Sequence, residues 1–119
     1  MIAMSHLQFQ IHFLQNDYLK TFVKNASDVP ELINLTKVTD LKLVNENNVV
    51  VIGKKLNQDI LIKIRLNDLL YEQKQFALVK ELDFEPESIH QFEADNQHFV
   101  VVVSHKEFKT FHLLENDLV

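Results

Sequence analysis

The chain has 119 residues, enough for one domain and hardly more. With 46% hydrophobic and 24% charged residues it can build a core, and it does not read as a disordered tail. A net charge of -5 disfavours nucleic acid or an anionic membrane as the main partner, since both reward a basic surface. The single glycine, Gly53, leaves no P-loop, dinucleotide fingerprint or nucleophile elbow to be written. Cysteine is absent, which excludes disulfides and thiolate metal sites and fits a reducing, intracellular compartment. No apolar run approaches the roughly 20 residues that span a bilayer, and Met1 to Leu7 lacks the pattern of a secretory signal.

In chain order, Leu7, Phe9, Ile11 and Phe13 alternate with Gln8, Gln10 and His12, a strand pattern. Gln15-Asn16-Asp17 can turn it into a second strand from Tyr18 to Val23. The competing reading is a helix, because Leu7, Ile11, Leu14, Tyr18 and Phe22 also satisfy helical spacing. Asp28-Val29-Pro30-Glu31 resembles a capping box and predicts a short helical turn near 30–35.

The second half is more regular. Three meandering strands are expected at about 38–44, 49–55 and 59–66. The run Val49-Val50-Val51-Ile52 suits a strand buried on both faces. Ile60, Ile62, Ile64 and Leu66 alternate with Leu61, Lys63 and Arg65. Lys63 and Arg65 share one face, which reads as an edge guarded against unwanted strand addition. A fourth, outer strand is expected at about 75–82, with an amphipathic helix over 68–80 as its competitor. Glu85-Pro86-Glu87 ends that segment. The same grammar then recurs in Ile89 to Ala94, the turn Asp95 to His98, the run Phe99 to Val103, the turn Ser104 to Glu107, and the strand Phe108 to Leu114. Asn45 lines up with Asp95 and Val51 with Val101, fifty positions on, and Asn67-Asp68 lines up with Asn116-Asp117 after a one-residue gap. Two β-meanders at such a period mark a repeat architecture.

Polar residues offer little chemistry. The six histidines, His6, His12, His90, His98, His105 and His112, form no HxxxH or HExxH pair, whereas zinc needs three or four convergent ligands. Thr36, Thr39, Ser88 and Ser104 sit in no nucleophile motif, and adjacent Ser104 and His105 would point to opposite faces of a strand. Glu81, Asp83, Glu85 and Glu87 form an acidic cluster, read as a solvated loop or a dock for a basic surface. No aromatic platform interleaved with basic residues predicts a nucleic-acid surface. No catalytic, cofactor-binding or metal-ligating residue is therefore assigned.

The segments VTDLKLVNENNVVVIGKKLNQDILIKIRLNDLLYE (38–72) and ESIHQFEADNQHFVVVVSHKEFKTFHLLEND (87–117) read like successive blades of a divergent WD40-like β-propeller. They lack the Trp-Asp dipeptide and the Gly-His start of that repeat. The order from Asn45 to Tyr71 is an acidic turn, a β-branched run, a basic pair, a strand and a loop with Tyr. Together with the final pair HFVVVVSHKEFKTFHLLEND, it resembles the C-terminal propeller segment of the subunit-four family of the anaphase-promoting complex. The resemblance covers about 38–117 and implies a non-catalytic scaffold in a cell-cycle ubiquitin ligase, nuclear and cytoplasmic, beside platform subunits one and five. It transfers no functional residue. The expected class is thus all-β, with tandem antiparallel meanders as propeller blades over 38–119 and a strand pair with a short helical turn over 1–37. The alternative is a self-contained small β-barrel that binds a small ligand in a cavity lined by Phe9, Ile62, Phe99 or Phe111. A hydrolase on an unfamiliar β fold would need a polar constellation that the sequence does not display.

Overall fold

The computed structural model describes residues 2–4, 8–15, 18–25, 35–45, 48–65, 78–114 and 117–119, the first three ranges as backbone. Every regular element among them is a strand: β1 Ile2–Met4, β2 Gln8–Gln15, β3 Tyr18–Asn25, β4 Lys37–Val44, β5 Asn48–Lys55, β6 Gln58–Arg65, β7 Leu78–Glu81, β8 Ser88–Ala94, β9 Gln97–Val103 and β10 Phe108–Leu113. They form antiparallel meanders in the orders β1-β2-β3, β4-β5-β6-β7 and β8-β9-β10. The all-β expectation holds. At the N-terminus period two wins over helical spacing, with β2 and β3 paired from Gln8↔Asn25 to Gln15↔Tyr18. The helix set against the outer strand does not include residues 78–81, which pair with β6 from Ile60↔Glu81 to Lys63↔Leu78. The short helical turn near 30–35 lies outside the described residues but for position 35, which is irregular, and Asn67, Asp68 and Asn116 lie outside them as well.

The two later sheets repeat one another with a single slip, and the slip falls inside the first turn. Val44 pairs with Asn48, whereas Ala94 pairs with Gln97, so the second hairpin loop is one residue shorter. Both central residues of that loop have positive φ, Asp95 at 52° and Asn96 at 62°, as a type I′ hairpin turn demands. The offset is therefore fifty before the turn and forty-nine after it. Val51, opposite Leu41, matches Val100, opposite Gln91, and not Val101.

The slip fixes which faces correspond. In the first sheet one face, called the front, carries the rows Asp40–Ile52–Leu61–Lys80 and Lys42–Val50–Lys63–Leu78. Its back carries Leu41–Val51–Ile62–Val79 and Leu43–Val49–Ile64. In the second sheet the corresponding back carries Ile89–Val102–Lys109, Gln91–Val100–Phe111 and Glu93–His98–Leu113. One buried cluster joins Val44, Val50, Ile52 and Leu61 to Ile89, Val100, Val102, Phe111, Leu113 and Leu118, with Leu82 between them. The front of the first sheet thus packs on the back of the second. The back of the first sheet is buried too, with Val49, Val51, Ile60, Ile62 and Ile64 at most 3% exposed. This explains why β5 reads as a continuous β-branched run and why Leu61 breaks the alternation of β6.

Lys63 corrects an expectation. It is 3% exposed on an interior strand paired with both β5 and β7, so it guards no edge. The lone glycine also acquires a reason. β4 shifts register between Val38 and Asp40, and a side chain at the opposing Gly53 would run into the Lys37 carbonyl.

Candidate functional site

The neighbours of β4 define the first feature. β4 lies beside β8, and β1 lies beside β4, so the first strands of the three meanders follow one another. Between β4 and β8 the contacts are side chain to main chain. The Ile89 N–H donates to Asp40 Oδ2 at 2.9 Å, and Lys42 Nζ donates to the Ile89 carbonyl at 2.9 Å. In return, Gln91 Nε2 donates to the Leu43 carbonyl at 3.4 Å, and its Oε1 accepts from the Asn45 N–H at 3.3 Å. Both β4 and β8 are terminal strands of their sheets, and their free main-chain groups are answered by side chains of the neighbour. The partners ascend together, 40 and 42 with 89, then 43 and 45 with 91, so β4 and β8 run parallel. The register shift at Val38/Asp40 is where β4 bends to present Asp40, whose Oδ1 also accepts from the Leu41 N–H at 2.9 Å.

The far side of the seam is aligned in the same sense. Residues 117–119 return antiparallel beside β10 through the Leu113↔Leu118 bridge and the reciprocal His112–Val119 main-chain bonds of 2.8 and 3.0 Å. They form a fourth row where β7 is the fourth strand of the first sheet, and Lys80 on β7 faces Asp117 at 3.7 Å. The first strands of the two sheets therefore lie side by side, and the fourth row of the second sheet meets the fourth strand of the first.

The front of the second sheet is the second feature. Cross-strand pairing lays out three rows: Ser88–Val103–Phe108, His90–Val101–Thr110 and Phe92–Phe99–His112. The last is a stack, with ring centroids 4.9 Å apart for Phe92–Phe99 and 5.0 Å for Phe99–His112. Phe92 is 46% exposed and Phe108 70%. On the covered front of the first sheet the matching positions hold Lys42–Val50–Lys63 and Asp40–Ile52–Leu61, so the open face is the more aromatic of the two.

Among the described residues the polar side chains assemble no catalytic constellation. Ser104 Oγ is engaged in its own turn, bonding the Glu107 carbonyl at 3.2 Å, while His105 turns to Glu87 at 3.0 Å. The serine–histidine pair that does meet is Ser88–His90, at 2.9 Å on an exposed face. Among the described residues no third group orients that imidazole, so the pair alone does not make a nucleophilic site. Among the described residues no group of three or more His, Asp or Glu side chains could hold a metal ion. The acidic cluster is divided, with Glu85 3.7 Å from Lys54 and Glu87 on His105. Thr36 caps the seam of β4 and β5 through the Lys54 carbonyl at 3.1 Å. Ile62, Phe99 and Phe111, expected around one barrel cavity, fall on the back of the first sheet, the front of the second and the back of the second. A notch of 340 Å³ at the turn end of the seam is wide open and is lined by Leu43, Asn45, Gln91, Phe92, Glu93 and His98.

No family model, curated protein or solved structure matches the chain.

Proposed function

We propose that the chain is a three-sheet arc of a WD40-like β-propeller that serves as a non-catalytic scaffold for protein–protein contacts. The observation that carries this reading is the front-to-back stacking of repeated meanders on parallel inner strands. Two sheets of a sandwich present equivalent faces to each other or cross at an angle. Sheets arranged around an axis instead meet front to back, with their inner strands all running one way. The likeness to subunit four of the anaphase-promoting complex supplies the setting. There the arc would be part of a cell-cycle ubiquitin ligase, holding platform subunits one and five rather than taking part in ubiquitin transfer. Gentle affinity capture of the tagged chain from cells, with the bound proteins identified, tests this role. Recovery of such a ligase with its platform subunits supports it. Recovery of the chain alone, with a small molecule retained, favours a ligand-binding β protein.

A further inference from the structure

We propose that the notch at the turn end of the β4–β8 seam receives an arginine side chain of a partner protein, its guanidinium lying on the Phe92 ring and paired with Glu93. As a partner contact it rests on the scaffold reading; as a guanidinium site it stands on the geometry of the notch.

The charge of the notch selects a cation. Its 340 Å³ lies at the lower end of the range of about 300–1,000 Å³ for ligand pockets. Among the described residues that line it, Glu93 is the one carboxylate, and none is a lysine or arginine. Glu93 is exposed, and among the described residues no cation meets its carboxylate.

The aromatic stack supplies a flat wall. β8 is the terminal strand of its sheet, so the row Phe92–Phe99–His112 ends at Phe92. Phe99 stacks on one side of the Phe92 ring at 4.9 Å. No strand of that sheet continues the row on the other side, and the ring borders the notch, 46% exposed. The quadrupole of an aromatic face attracts a cation, and the planar guanidinium also stacks on it.

Main-chain acceptors complete the site. Ile89 turns its N–H and carbonyl out towards β4, and the period of two carries Gln91 and Glu93 to the same edge. A cation already serves that edge: Lys42 Nζ bonds the Ile89 carbonyl at 2.9 Å. An incoming arginine repeats that contact further along β8, where Gln91 and Glu93 line the notch. Its five donors in one plane can answer the carboxylate and a carbonyl together, which a neutral ligand or a compact ammonium does less well.

The test titrates the isotope-labelled chain with acetyl-Gly-Arg-Gly-amide at low ionic strength, followed by heteronuclear magnetic resonance. Matched peptides carry citrulline or lysine in place of arginine. Saturable shifts are expected at the amides of Phe92, Glu93 and His98, with a dissociation constant of about 1 mM. Citrulline keeps the shape and loses the charge, so it should bind at least about tenfold more weakly, and lysine at least about threefold. Phe92→Leu and Glu93→Gln should each weaken arginine binding at least about fivefold, with the far-ultraviolet circular dichroism unchanged. Equal binding of arginine and citrulline, binding indifferent to either substitution, or no saturable shift up to about 20 mM overturns the proposal. Such a failure leaves the scaffold role standing, because affinity capture from cells reads that role without the peptide. Peptide binding by a chain that captures no protein from cells would instead sink the scaffold reading and keep the guanidinium site.

Discussion

Removing the Asp40 carboxylate tests the seam most sharply. In Asp40→Ala the Ile89 N–H loses its acceptor at 2.9 Å, on a residue that is 0% exposed. A buried donor left without a partner costs about 1–3 kcal/mol, and bonds to charged groups lie in the upper part of that range. The Leu41 N–H loses its 2.9 Å bond as well, but Leu41 is only half-buried and water can replace the carboxylate there. The expected loss of folding free energy is therefore about 2 kcal/mol. With a urea m-value of about 2 kcal/mol/M, the midpoint should fall by about 1 M. Urea titrations monitored by circular dichroism, at one protein concentration, measure it. Lys42→Met removes the donor to the Ile89 carbonyl and should cost about 1 kcal/mol, less because a carbonyl tolerates partial satisfaction better than an amide hydrogen. Both side chains act on one peptide unit, so the double variant should depart from additivity by at least about 0.5 kcal/mol. A midpoint for Asp40→Ala within about 0.2 M of the wild type, with exchange at Ile89 unaltered, would refute the seam as described.

Gly53→Ala should destabilise by about 1–3 kcal/mol, because the new methyl group meets the Lys37 carbonyl and β4 must shift; thermal unfolding reads it, and an unchanged midpoint would mean that β4 does not approach so closely. Asn96→Ala should cost about 1 kcal/mol, since its φ of 62° suits asparagine better than alanine, whereas Asn96→Gly should be near neutral; equal loss in both would place the effect outside the turn. Ile52→Ala opens a void at the centre of the seam and should cost about 2–5 kcal/mol in chemical denaturation, while Thr110→Ala on the open face should stay within about 0.5 kcal/mol.

The strands were legible because their β-branched runs and polar turns agree with each other over short distances. Lys37–Val44, Asn48–Lys55 and Gln58–Arg65 start within a residue of the positions that periodicity sets. What periodicity does not contain is the identity of the covering layer. Val49 to Ile52 and Phe99 to Val103 are equivalent as sequence, yet the first is buried on both faces and the second only through Val100 and Val102. The difference is whether another sheet stacks in front, a matter of arrangement and not of pattern. The same gap misplaced Lys63, since a lysine flanked by isoleucines reads as a solvent-facing alternation until a second layer buries it. The hydrogen bonds between β4 and β8 were not legible in the sequence because their partners lie 46 to 49 residues apart. A signal was present in Asp40 and Lys42, two charges of opposite sign on one face of a strand whose other face carries Leu41 and Leu43. The expectation that Ser104 and His105 point apart agrees with the structure. Adjacent Ser104 and His105 separate, while Ser88 and His90, two apart on β8, share a face.

The arrangement of β4 against β8 is the centre of the account, and interproton contacts measured by nuclear magnetic resonance reach it directly. The account predicts contacts that ascend in both strands, from Asp40 and Lys42 to Ile89 and from Leu43 and Asn45 to Gln91. Contacts that descend in one strand as they ascend in the other, or contacts placing β4 beside β10, would contradict it.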